Sequence, residues 1–428
     1  MIAAFYAMSR QMQVSSFVFF YMKLEDVMEN LSVLKFGGTS VGTIQKIKGI
    51  SDYLSSRVKN GEKLIVVVSA MGKTTDHLLE QVGQITNNPD TRELDTLLAV
   101  GEQNTISLMA ITLNDIGTRT RSLTGMQAGI KTFGQHTKSK IKNIDTDFLE
   151  DQLRQFDVLV VAGFQGFNDN KEITTLGRGG SDTSAVALAA AMACPCEIYT
   201  DVTSVFGTDP RLYPDAKPLS QVSYEEMLEL SALGAGVLET RCVEIAKNYN
   251  VPLYLGKTLS ETRGTWIMAN TDLLEKKVVT GVALDNDILH VTLVDKDKKA
   301  SFVQDLFDQL DLSSVNIDMI SQVLVDEGIN ISFTCKNTDQ NFLDKALQAL
   351  KEKYPSMATS IRTDCAKVSI VGSGMRDVSG VAARAFRLLG KNSINFYQVT
   401  TSEISISYAV DKENATKTVG LLCQEFEI

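Results

Sequence analysis

At 428 residues with 44% apolar composition, the chain is long enough for two or three domains with their own cores, which excludes wholesale disorder. Its 42 basic and 52 acidic side chains leave a net charge of -10, so there is no overall electrostatic footprint for nucleic acid or acidic membranes, and small-molecule partners fit better. Cysteines at 194, 196, 242, 335, 365 and 423 are scattered, and the C-x-C pair lacks the C-x-x-C spacing of zinc sites. A reduced, cytoplasmic protein without disulfides or dedicated metal ligands is expected.

The first apolar run, Phe17 to Met22 in "SSFVFFYM", is too short to span a bilayer, and no charged n-region with an A-x-A-like site accompanies it. Residues 1–30 read as an extension or a misassigned start, with Met22 and Met28 as alternative starts. From Val33 onward, short β-rich runs alternate with helical stretches, the pattern of an α/β sheet with parallel strands. "SVLKF", "KLIVVVSA", "DVLVVAG" and "CEIYT" are the strands, apolar nearly throughout, as expected when helices cover both faces. Helical spacing predicts helices over 43–59, 92–116 and 181–192.

Four stretches carry possible chemistry. In "SVLKFGGTSVG" a strand delivers Lys35 to the Gly37-Gly38 turn, whose successive N–H groups could form an anion cradle. The stretch lacks the P-loop spacing, and a plain βα turn with an exposed lysine is the alternative. In "LLAVGEQNTISLMAITLNDIG" Glu102 interrupts an apolar helix, and a buried carboxylate needs a partner or a ligand. In "TTLGRGGSDTSAVALAAAMA" Arg178 and Asp182 flank a glycine pair, with Ser181 at the expected N-cap of an alanine-rich helix. Arg178 there either grips a carboxylate through two parallel hydrogen bonds or forms a structural ion pair with Asp182. In "YTDVTSVFGTDPRLYPDAKPL" a strand end runs into a loop bearing Asp201, Asp209 and Arg211, at the place where open α/β sheets bind ligands. A solvated surface loop is the alternative.

Beyond a boundary near Gly264 to Val278 the texture changes to smaller strand–helix–strand–strand units. "ILHVTLVD", "ASFVQDLFDQLD" and "VNIDMISQ" are echoed by "AKVSIVG", "VSGVAARAFRLLG" and "INFYQVTT", with Asn316 matching Asn395 79 residues on. Two tandem α+β modules beside a larger α/β domain suggest catalysis in the first part and regulation in the second.

Taken in order, "KFGGTSVG", "VVSAMGKTTD", "GEQNTISLMA", "GRGGSDTSA" and "YTDVTSVFGTDPR" resemble the aspartate kinase family, and the resemblance covers residues 33–428. It implies an amino-acid kinase (carbamate-kinase-like) three-layer α/β sandwich with a mostly parallel sheet at 31–265. Two ACT modules at 280–355 and 365–428 would follow, in a monofunctional enzyme. The implied activity is ATP-dependent phosphorylation of the side-chain carboxylate of L-aspartate, the first step of lysine, threonine and methionine biosynthesis. Lys35, Gly37 and Gly38 would contact the ATP phosphates, and Thr200, Asp201, Phe206, Asp209 and Arg211 would surround the nucleotide. Ser69 and Thr75 would help hold aspartate, Glu102 would pair with its amino group, Arg178 would hold a carboxylate and Asp182 would orient the acceptor. Mg2+ would accompany ATP on phosphate oxygens and water, with no protein cage. Asn316, Asp318 and Gln322 would bind an amino-acid effector, lysine, threonine or both. ACT pairing implies a homodimer or higher homo-oligomer.

The sequence departs from the family pattern at three places. Gly236 stands where many members have a phosphate-binding lysine, Lys257-Thr258 replaces a serine pair, and Phe206 replaces a tyrosine. Lys257 is therefore a candidate for the missing charge beside the ATP phosphates. A kinase acting on another amino acid and a non-catalytic amino-acid sensor are the competing readings.

Overall fold

The computed structural model describes residues 30–269, 278–297, 301–325, 328–376 and 378–428. The extension expected over 1–30 lies, apart from Asn30, outside them. No helix among the described residues is long and apolar enough to cross a membrane. Contacts divide the chain into two compact units, one of residues up to Ser204 plus Arg241–Ala269, the other of Val205–Thr240 plus the remainder.

In chain order the first unit begins β1 (Leu31–Phe36), α1 (Ile44–Lys59), β2 (Lys63–Val68), α2 (Thr74–Gly83), α3 (Thr91–Leu98) and α4 (Val100–Asp115). It continues β3 (Thr120–Leu123), β4 (Ile130–Phe133), β5 (Lys140–Ile144), α5 (Thr146–Gln155), β6 (Val158–Ala162), β7 (Gln165–Phe167), β8 (Ile173–Thr175), α6 (Gly180–Ala191) and β9 (Cys196–Thr200). β10 (Gln221–Ser223) and α7 (Tyr224–Leu230) intervene as part of the second unit, before α8 (Thr240–Tyr249), β11 (Leu253–Lys257) and β12 (Thr265–Met268). The main sheet runs β12-β11-β9-β1-β2-β6-β3, parallel except for β12.

Alternation along β1 decides what each face does. Leu34 and Phe36 pack with Val66, Val68 and Val160 against Ile47, Ile50 and Leu54 of α1 and Ile106 and Met109 of α4. The opposite face is covered at β1 and β2 by α6, whose small side chains at Ala185 and Ala189 are fully buried. Helices on both sides of a mostly parallel sheet make the expected three-layer sandwich. The single helix expected over 92–116 is instead two, parted at Ala99, whose carbonyl accepts from the Gln165 side chain at 2.9 Å as well as from the Gln103 N–H at 3.4 Å.

The second unit continues with β13 (Gly281–Asp285), β14 (Ile288–Asp295), α9 (Ser301–Leu312), β15 (Ile317–Val325), β16 (Gly328–Lys336), α10 (Gln340–Lys353) and β17 (Ala358–Arg362). It ends with β18 (Cys365–Val371), α11 (Val381–Lys391), β19 (Phe396–Thr401), β20 (Ser405–Asp411) and α12 (Lys412–Phe426). Its sheets run β15-β16-β14-β17 and β19-β20-β18-β13, the same antiparallel order twice. The repeat read from the sequence is therefore real, but the modules are nested rather than tandem. β13 precedes the first module yet fills in the second sheet the place that β17 fills in the first. Residues 281–285, expected at the head of the first module, pair with β18 instead, a nonlocal pairing that periodicity cannot reveal.

Residues 205–240, expected with the first domain, cluster with the second unit through a buried hub. Glu226 accepts hydrogen bonds from Ser223, which it also caps, from Thr280 Oγ1 at 2.6 Å and from the Ser373 N–H at 3.0 Å.

The two modules meet through reciprocal pairs, as a pseudo-twofold arrangement requires. Lys367 of β18 pairs with Asp318 of β15 at 2.5 Å, and the equivalent His290 of β14 lies against Tyr397 of β19, ring centroids 6.0 Å apart. Lys336 of β16 pairs with Asp285 of β13 at 2.6 Å, while Asp411 of β20 pairs with Arg362 of β17 at 3.1 Å, the same contact with its charges exchanged.

Candidate active site

Parallel strands in register bring their carboxyl ends to one edge. Gly256, Tyr199, Phe36, Val68 and Ala162 are successive partners across β11, β9, β1, β2 and β6. Lys257, Thr200, Gly37, Ser69 and Gly163 each follow that row by one residue. Four of these are expected site residues, and the sheet alone places them together.

The glycine turn is held from both sides. The Gly37 N–H donates to the Tyr199 carbonyl at 3.2 Å, the Gly72 N–H donates to the Gly38 carbonyl at 3.0 Å, and the Ser69 N–H donates to the Phe36 carbonyl at 3.2 Å. A Cβ on Gly38 would lie 2.8 Å from the Ala70 carbonyl oxygen, so only glycine lets the turn and the loop after β2 approach this closely. The Ser40 and Thr258 hydroxyls, 2.6 Å apart, tie the turn to the end of β11. This contact joins residues 218 positions apart, and no local signal announces it.

Lys35 is not the exposed lysine of a plain turn. It points to the α6 face of β1, is 8% exposed, and its Nζ lies 2.5 Å from Asp182 Oδ1 in the first turn of α6. A buried ammonium needs such a partner. The alternative Arg178–Asp182 ion pair is thereby displaced. Ser181 is not the cap either: it lies inside the helix, and the N-cap is Gly179 in the left-handed region at φ +64°. Gly177, at φ +80°, and Gly179 bracket Arg178 in a tight turn that side chains with a Cβ rarely adopt. Arg178 itself is exposed and has no ion-pair partner among the described residues.

Glu102, in the first turn of α4, is 3% exposed. Its Oε1 accepts from the Ala70 N–H at 3.0 Å, while Oε2 has no hydrogen-bond partner among the described residues. Burial, opposed by the Ala70 N–H and by Glu102's own N–H, pushes the carboxyl up to about 7. A folded value above the unfolded value near 4.5 means that the group's contribution to stability is fully present below pH 4.5 and is lost as pH rises through 7. Glu102→Gln should remove this dependence. Melting temperatures from pH 5 to 8 should show the ligand-free parent losing on the order of 3 kcal/mol relative to the variant, and parallel curves would contradict the assignment.

Thr75 is half-buried on α2. The Thr200 hydroxyl donates to Asp201 at 3.0 Å beyond β9. Phe206, Asp209 and Arg211 belong to the second unit, where Phe206 bridges Pro218 and the exposed Arg211 guanidinium is held by Asp209 at 2.6 Å. Asn316 and Gln322 are exposed at and beside β15. Burial would raise the Asp318 carboxyl, but the hydrogen bond and charge of Lys367 outweigh it and hold the group below the usual range. Gly236 lies in the left-handed region at φ +57°. All six cysteines are free and buried, and no group of three potential metal ligands occurs among the described residues.

A parallel sheet with an anion-ready glycine turn, a lysine held by a helix-borne aspartate and, later in the chain, two βαββ modules define a class, and family profiles agree with it. The Amino acid kinase family matches residues 30–257, and an ACT domain matches residues 368–426. Among curated proteins, the aspartokinase of Bacillus sp. (strain MGA3) is 45% identical over 400 residues, 93% of this chain and 97% of that protein. Aspartokinase 2 of Bacillus subtilis is 43% identical over 93% of this chain and 98% of its own length. A crystal structure of E. coli aspartokinase III in complex with aspartate and ADP shares the fold at a TM-score of 0.76 and 20% identity, covering 93% of this chain and all of that one. The chain belongs to the aspartokinase family.

Proposed function

We propose that this site transfers the γ-phosphoryl group of ATP to the side-chain carboxylate of L-aspartate. A carboxylate oxygen attacks phosphorus, the bond to the β-phosphate oxygen breaks, and 4-phospho-L-aspartate and ADP leave. The observation that carries this reading is the buried Lys35–Asp182 pair beside the donor-rich glycine turn, supported by an Arg178 without an ion-pair partner and a Glu102 oxygen without a hydrogen-bond partner among the described residues. The acceptor carboxylate is already ionised near neutral pH, so alignment and charge neutralisation are the work required, without a general base.

In this reading Lys35, Gly37 and Gly38 receive the phosphates. Thr200, Asp201 and Lys257 line the nucleotide side. Arg178 grips the α-carboxylate of aspartate, Glu102 Oε2 accepts from its ammonium, and Ser69 and Thr75 complete the pocket. Asp182 holds Lys35 between the reacting groups. Mg2+ travels with ATP on phosphate oxygens and water. Aspartate should bind more tightly as pH rises through 7, because its ammonium pairs with ionised Glu102.

Lys257, exposed at the end of β11, is two strand spacings from Gly37, roughly 10 Å. Lys257→Ala should raise the KM for ATP up to about tenfold, the value of one charge-assisted contact at an exposed site. An unchanged KM for ATP and unchanged turnover would remove Lys257 from the site.

In this reading the amino-acid kinase region carries catalysis, and the two modules built from residues 281–428 carry regulation. Asn316, Asp318 and Gln322 take an amino-acid effector, lysine, threonine or both, whose ammonium competes with Lys367 for Asp318. ACT pairing makes the enzyme a homodimer or higher homo-oligomer, and free buried cysteines suit a cytoplasmic setting. Trapping with hydroxylamine tests the chemistry: an aspartyl hydroxamate should accumulate only with both ATP and L-aspartate, and its absence would refute the proposed product.

A further inference from the structure

Arg178 has no ion-pair partner among the described residues, yet Thr175, Leu176 and Gly177, which lead to it, are fixed. The Thr175 hydroxyl donates to Asp95 Oδ1 at 2.5 Å, and the Thr175 carbonyl accepts from the Ser139 N–H at 3.0 Å. The Leu176 N–H donates to the Phe164 carbonyl at 2.9 Å, and its carbonyl accepts from Arg241 Nη1 at 3.2 Å. Gly177 backs onto the Thr137 carbonyl, which would lie 3.2 Å from a Cβ placed there.

That back wall is itself built by a buried carboxylate and a half-buried guanidinium. Asp95, fully buried on α3, also accepts from His136 Nδ1 at 2.7 Å and from the Thr137 N–H at 3.1 Å. Thr137 sits at φ +66°, a costly conformation for a β-branched residue that persists only where its surroundings impose it. Arg241 of α8 sends its second nitrogen, Nη2, to the Ser139 carbonyl at 3.2 Å, so one guanidinium joins the wall to the turn.

We infer that Asp95 and Arg241 are positioning residues for substrate recognition: through Thr175, Leu176 and the 136–139 wall they fix the backbone from which Arg178 reaches the α-carboxylate of aspartate. This rests on the reading that Arg178 binds that carboxylate. A flexible, exposed guanidinium binds well only when the backbone beneath it is already set, since ordering it afterwards would consume the affinity.

The test compares Thr175→Val, which keeps the shape but removes the hydroxyl, in the parent and in Arg178→Ala. In the parent, KM for aspartate should rise about five- to tenfold while KM for ATP stays constant, and Thr175→Ser should restore it. In Arg178→Ala the same change should add less than about twofold, because the residue it positions is gone. Arg241→Met, which keeps the length but removes both donors, should follow the pattern of Thr175→Val. Equal losses in both backgrounds, an equal rise in KM for ATP, or no loss in the parent would overturn the inference while leaving Arg178 in place. If Arg178→Ala itself leaves aspartate kinetics unchanged, the substrate reading falls and this inference with it.

Discussion

Lys35→Ala should lower turnover by about 10²- to 10³-fold, the range for removing one preorganised charge from a phosphoryl or acyl transfer site. Lys35 is the cation that the strand delivers to the glycine turn, and the position where many relatives carry a second phosphate-binding lysine holds Gly236 here. The variant also leaves the Asp182 side chain, 15% exposed, without its partner, and breaking a buried pair from one side costs roughly 3–5 kcal/mol. The two effects separate in the double variant Lys35→Met with Asp182→Asn. A neutral pair should recover much of the melting temperature without recovering turnover. Full activity in the stable double variant would show that the pair is structural only.

Arg178→Ala should reduce kcat/KM for aspartate by about 10²-fold, the worth of a two-pronged, charge-assisted grip on a carboxylate. Being exposed and unpartnered among the described residues, Arg178 contributes little to folding, so stability should move by no more than about 0.5 kcal/mol. Arg178→Lys should recover only part of the loss, because an ammonium cannot reproduce the planar fork. KM for ATP should not change. Aspartate kinetics identical to the parent would exclude Arg178 from substrate binding.

The sheet was legible because its strands are buried on both faces. "KLIVVV" and "VLVVA" stand as apolar runs between helical patterns, and the structure places strands at Lys63–Val68 and Val158–Ala162. The glycine turn after β1 was legible for a related reason, since paired glycines at a strand end mark a close backbone approach, here between Gly38 and the Ala70 carbonyl. What escaped were interactions between distant residues. The hydrogen bond from Gln165 to Ala99, the pairing of β13 with β18, the Glu226 hub and the Ser40–Thr258 tie all join segments without local periodicity. Asp95 escaped for the same reason: in an amphipathic helix it reads as a solvated acid, whereas Thr175, His136 and Thr137 converge on it from segments about 40 to 80 residues away. Ser181 misled because a serine before an alanine-rich run resembles a cap, while the left-handed Gly179 had already ended the turn.

ADP release by the purified full chain with ATP and Mg2+, measured with L-aspartate, with L-glutamate and with no acceptor, tests the proposed activity most directly. The proposed site predicts rapid release with L-aspartate alone, abolished in Lys35→Ala. Equal rates with all three, or release that prefers L-glutamate, would contradict it.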